Sequence, residues 1–160
     1  MARPHPGPRA LLRPGAVLLC GGLVATLSAC GEDLPELGAA DAEACQDVVA
    51  GLPETLMGSD LTDRTDRVAT YDEVTVTCGV EKPADYAPTA ECHEVDGVGW
   101  YVPASSLGDL DEDLVAYALS HEPYVRLEAP ASQRLESTDD ALFQIAAAVK
   151  ETLGEGLACL

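Results

Sequence analysis

The feature that most restricts how this chain can fold is the placement of its six cysteines. Cys20 and Cys30 fall in or at the end of an apolar N-terminal run, whereas Cys45, Cys78, Cys92 and Cys159 are spread over the rest at separations of 33, 14 and 67 residues. Structural zinc sites draw their ligands in closely spaced pairs, and no C-x-x-C is present. Four widely spaced cysteines in a small exported domain are instead expected to form disulfides, with three connectivities open. Each long loop closed this way contributes about 3 to 4 kcal/mol in the chain-entropy account, a large share of a small domain's stability.

Oxidation requires the right compartment, and the N-terminus supplies the address. Arg3, Arg9 and Arg13 precede the first acid, Glu32, and Ala16 to Leu27 form an apolar run of export-signal length. A membrane-crossing helix needs roughly 20 apolar residues, and no second such run follows. Leu27-Ser28-Ala29-Cys30 closes the run as a lipobox. Small residues at 28 and 29 fit a signal-peptidase site in extended form, and Cys30 offers a thiol for thioether attachment of diacylglycerol. Cys20 has hardly any apolar run behind it and is rejected as the modified residue. The expectation is a signal peptide over 1–29 and a lipoprotein, palmitate-bearing at Cys30, on the outer face of the plasma membrane. Two acyl chains anchor stably where one does not. Ordinary secretory cleavage, leaving Cys30 free, is the alternative.

Removing 1–29 takes away three arginines and no acid, leaving 131 residues with 6 Lys+Arg against 28 Asp+Glu and a formal charge of −22. That length suits one domain. A field this negative argues against nucleic acid and anionic headgroups, which bind by exchanging counterions for positive charge.

Residues 30–42 are acidic and Gly/Ala-rich and read as a tether, with a single domain over 43–160. Cys45, Val48, Val49 and Leu52 recur at helical spacing, with Asp41 as N-cap and Gly51-Leu52-Pro53 as the stop. Residues 58–70 read as a polar loop. Val74, Val76, Cys78 and Val80 alternate with Thr75, Thr77 and Gly79, as a half-buried strand does. Glu91–Asp96 and Val98–Val102 form a hairpin or one bent strand around Gly97. Leu107–Asp113 is an acidic turn, and 114–120 suits either strand or helix. Tyr124–Ala129 alternates cleanly and ends at Pro130. A last helix is expected over about Asp139–Leu153, with Leu142, Ile145, Ala146, Val149 and Leu153 on one face, Ser137 or Thr138 as cap and Gly154 as stop. The fold class is α+β: a small, mostly antiparallel sheet with an N-terminal and a C-terminal helix packed on it, stapled by disulfides.

The order of CQDVVAGLPETLMG, VTVTCGVEKPADYAPTA, VDGVGWY and YVRLEAP over roughly residues 44–150 resembles the domain of unknown function 3515 family, exported proteins and lipoproteins of actinobacteria. The most specific pieces are Thr77-Cys78-Gly79-Val80 with Pro83, and Asp96-Gly97-Val98 with Trp100. Thr70-Tyr71-Asp72-Glu73 stands where that family usually has Trp-Gly-Asp-Pro. The resemblance implies that Cys45 pairs with Cys78, which leaves Cys92 with Cys159; it carries over no catalytic residue.

Candidate chemistry is sparse. Asp109, Asp111 and Asp113 imitate the opening of a calcium loop, but Leu114 stands at the sharp-turn glycine position and Ser120 at the bidentate glutamate position. Cys92 and His93 are strand neighbours whose side chains point to opposite faces, so no thiolate–imidazole pair forms. His121 is expected beside a carboxylate. Ser105-Ser106 lacks a nucleophile elbow, Lys82 has no S-x-x-K partner, and the phosphate-binding and H-E-x-x-H motifs are absent. Glu91, Glu94 and Asp96 are carboxylates of a kind that chance supplies among 28 acids. Trp100 is read as core and Tyr101 as its neighbour beside flexible glycines. The expectation is a noncatalytic module without cofactor, held to the membrane through Cys30 and engaging an unidentified envelope protein. A small-molecule or cation-binding lipoprotein serving a transporter is the second expectation, and a cell-wall hydrolase the third.

Overall fold

A computed structural model describes residues 34–108 and 110–157, which fall in one compact unit. Helix α1 (Ala39–Gly51) comes first, then β1 (Thr55–Leu56), β2 (Ser59–Asp60), β3 (Asp63–Arg64), β4 (Val68–Tyr71) and β5 (Val74–Val80). The hairpin β6 (His93–Val95) and β7 (Val98–Tyr101) leads through a short helix α2 (Ala104–Gly108) to β8 (Leu114–Ala118), β9 (His121–Glu122) and β10 (Tyr124–Ala129). Helix α3 (Arg134–Thr152) and β11 (Gly154–Glu155) complete it.

Seven strands form one antiparallel sheet in the order β3-β4-β5-β10-β8-β7-β6. The α+β architecture expected from the sequence is therefore the one observed. Period-2 alternation decides the faces: Val74, Val76 and Cys78 on β5, Val125, Leu127 and Ala129 on β10, and Leu114, Ala116 and Ala118 on β8 are all buried in the core. The helices cover that side with Cys45, Val48 and Val49 of α1 and Leu142, Ile145, Ala146 and Val149 of α3. Trp100 is fully buried there. The other face is polar and aromatic, and register lays Tyr101, Tyr117, Arg126, Thr77 and Val68 in one row across it. Arg126 bridges to Glu128 at 3.0 Å on that face.

The Cys45–Cys78 disulfide joins α1 to β5 with Cα atoms 5.4 Å apart, the pairing the family resemblance implied. Cys92 is also disulfide-bonded; Cys159 lies outside the described residues.

Several elements differ from expectation. Helix α1 begins at Ala39, with Gly38 rather than Asp41 at the cap, so Asp41 serves its first turn. Residues 58–70 contain β2, β3 and the start of β4 rather than a loop, because β4 pairs with β5 through Ala69↔Val76 and Tyr71↔Val74. Residues 91–102 resolve into a hairpin turning on Asp96 (φ 51°) and Gly97 (φ 79°). Residues 114–118 are strand, held between β10 and β7. Helix α3 starts five residues early, at Arg134, and Thr138 is interior: its Oγ1 donates to Arg134 O instead of capping.

Candidate functional site

Two clefts lie at opposite ends of the sheet, and the path of the chain explains each. At one end, β5 and β10 pair with a bulge: Cys78 faces Val125 and Val80 faces Tyr124, leaving Gly79 over. Gly79 takes φ +75°, a conformation that suits glycine as the extra residue of a bulge. A β-carbon there would meet Leu37 Cδ1 at 2.6 Å and Arg67 Nη2 at 2.7 Å. The bulge thus makes room for residues 34–38 to lie against the sheet end.

Arg67 fastens them. Its Nη1 donates to Pro35 O at 2.9 Å, and its Nε and Nη2 donate to Cys78 O and Gly79 O. Burial lowers the pKa of this guanidinium; its three carbonyl acceptors satisfy the donors that burial strips of water.

Beside this clamp runs a groove of about 470 Å³ bounded by Pro35, Leu37, Lys82, Glu122 and Tyr124. Tyr124 donates to Glu122 Oε1 at 2.7 Å. Burial, together with that hydrogen bond and the Glu122 charge, pushes the Tyr124 phenol up to about 12, so it stays a protonated donor at neutral pH. Lys82 Nζ stands 5.6 Å from the ring centre of Tyr86, whose edge meets the Tyr101 ring at 5.2 Å. Asp41, Glu81 and Glu122 outnumber Lys82 in the lining, so the groove is acidic. Sequence reasoning missed it, because its residues come from three separated segments, 35–41, 79–82 and 122–124, and share no motif.

At the other end, a groove of about 360 Å³ runs between the first half of α3 and the edge strand β6. Leu114 and Leu142 floor it, and Leu107 and Leu110 rim it. Next to Leu107, the Ser106 hydroxyl donates to Asp113 O at 3.1 Å and accepts from Val115 N at 3.2 Å, staking α2 to the start of β8.

The remaining candidates separate. Asp113 accepts from Ala131 N at 3.0 Å and Asp109 lies outside the described residues. Among the described residues no three His, Cys, Asp or Glu side chains gather as a cation site. Asp96 pairs with Lys150. Ser120 Oγ accepts from Gly99 N at 2.7 Å and is hydrogen-bonded to His121 Nδ1 at 2.9 Å. His121 thus has a serine partner at its ring nitrogen. Leu27, Ser28, Ala29 and Cys30 lie outside the described residues. No helix among the described residues is long and apolar enough to cross a membrane.

A family model described as protein of unknown function (DUF3515) matches residues 28–157. No curated protein and no solved structure matches the chain.

Proposed function

The chain belongs to the DUF3515 family, and we propose that it is a lipid-anchored, noncatalytic interaction module on the outer face of the plasma membrane. The buried Cys45–Cys78 disulfide carries this reading. Disulfides persist in oxidising, extracytoplasmic space, where a lipobox would deliver the protein.

The Arg67 clamp adds a geometric support. Four residues, Gly31 to Leu34, separate Cys30 from Pro35, a reach of about 17 Å when fully extended. Lipid on Cys30 therefore holds the Pro35 end of the sheet close to the bilayer, on a shorter lead than residues 30–42 would give if all were free. The negative field opposes contact with anionic headgroups, so the acyl chains supply the attachment.

Membrane fractionation tests this. The wild type is expected in the membrane fraction with a diacylated N-terminal cysteine by mass spectrometry, and Cys30→Ser in the soluble fraction. Equal partitioning of both overturns the anchor.

The 470 Å³ groove favours one second reading, a binding site for a small ammonium-bearing ligand, since its size suits a small molecule and its lining is acidic. A ligand-dependent rise in melting temperature that Glu122→Gln abolishes is the expected result under that reading.

A further inference from the structure

Three large apolar side chains stand exposed among the described residues, Leu107 (55 %), Leu110 (54 %) and Phe143 (56 %), and two of them border one groove. Leu107 and Leu110 rim the 360 Å³ groove, over the floor residues Leu114 and Leu142. Isolated exposed leucines need no explanation, but a group of them around a concave apolar floor marks an interaction surface. The surroundings are anionic. Asp139 lines the groove, Asp140 is exposed next to it in sequence, and the exposed Asp111, Glu112 and Asp113 follow Leu110. Arg134, the permanent cation of the lining, is buried and donates to Glu112 O at 3.0 Å.

We propose that this groove docks an apolar segment flanked by lysine or arginine residues, contributed by another extracytoplasmic protein. The direction the groove faces rests on the anchored-module reading. Strand β10 has Tyr124 at the clamp end, facing Val80, and Ala129 at the other, facing Leu114 of the groove floor. Five steps along the strand separate them by about 17 Å. An anchor near Pro35 therefore puts the apolar groove at the end of β10 farther from the attachment point, which favours a protein occupant over the membrane. A second copy is disfavoured by charge: apposing two such rims brings like charges within about 10 Å, the Debye length at 0.1 M salt. A segment carrying both leucine-like and cationic side chains satisfies the apolar floor and the acidic rim together.

The test uses the full chain in phosphatidylcholine nanodiscs and a 14-residue amphipathic peptide of leucine and lysine bearing one photoreactive leucine. Cross-links mapped by mass spectrometry are expected on residues 107–114 and 138–143. Leu107→Ser with Leu110→Ser, both at exposed positions, is expected to lower their yield at least tenfold with the melting temperature unchanged. A leucine–glutamate peptide of the same pattern is expected to give no cross-link. Cross-links scattered over the surface or placed at the Pro35–Tyr124 groove, and indifferent to the double variant, overturn the proposal. So does labelling of Leu107 or Leu110 by a photoreactive acyl chain, or a wild-type dimer that the double variant loses. Loss of the anchor reading shows separately, as equal fractionation of wild type and Cys30→Ser.

Discussion

Gly79 shows how much one residue decides here. Its positive φ and the 2.6 Å approach of Leu37 leave no room for a β-carbon. Gly79→Ala is therefore expected to destabilise the domain by about 1 to 3 kcal/mol and to release residues 34–38, visible as faster amide exchange or proteolysis there. Wild-type stability and protection in that variant contradict the account. His121 gives the pH dependence. Burial lowers its pKa from 6.5, with Lys150 acting in the same direction and Glu155 opposing. The unfolded chain then binds the proton more readily, so the stability from neutral His121 is whole above pH 6.5 and is lost as pH falls through the depressed folded value. Denaturation midpoints are expected to fall below pH 6.5, by less than about 1.4 kcal/mol per pH unit for one proton. Replacement by His121→Gln is expected to flatten that segment of the profile; an unchanged slope assigns it to other groups.

At the scale of elements, the disulfide is the testable joint. Cys45 on α1 and Cys78 on β5 close a 33-residue span that includes β1 to β4. Replacing both with alanine is expected to cost about 3 to 4 kcal/mol in urea denaturation, with the sheet order kept because β5 remains paired on both sides. Elements were legible where apolar residues alternate with polar or small ones over six or seven positions; on β5 Thr77 and Gly79 of the second face are buried as well. Strands β5 and β10 alternate over seven and six residues, and both have the bounds the pattern predicts. Strand β4 was hidden because it is four residues long and Val68 stands on its outward face while the small Ala69 faces the core, so no apolar–polar alternation shows. Strand β8 was ambiguous because Leu114, Val115, Ala118 and Leu119 also suit a helix; pairing with β10 and β7 settles it. The start of α3 was misplaced because Thr138 resembles a cap until its hydroxyl is seen turned back to Arg134 O.

For the whole molecule, residues near in sequence determined the helix and strand periods, the acidic charge and the cysteine set. These are local or additive properties, so a linear reading reaches them. The buried place of Trp100 also followed from composition, since a lone tryptophan in a small domain has most area to gain by burial. Only the tertiary structure decided the two grooves, the clamp on Pro35 by an arginine 32 positions away, and the opposite placement of the polar and apolar clefts. Each depends on strand order and register, which bring together side chains from distant segments; no local pattern encodes that juxtaposition, because the free energy that selects it is shared across the whole sheet.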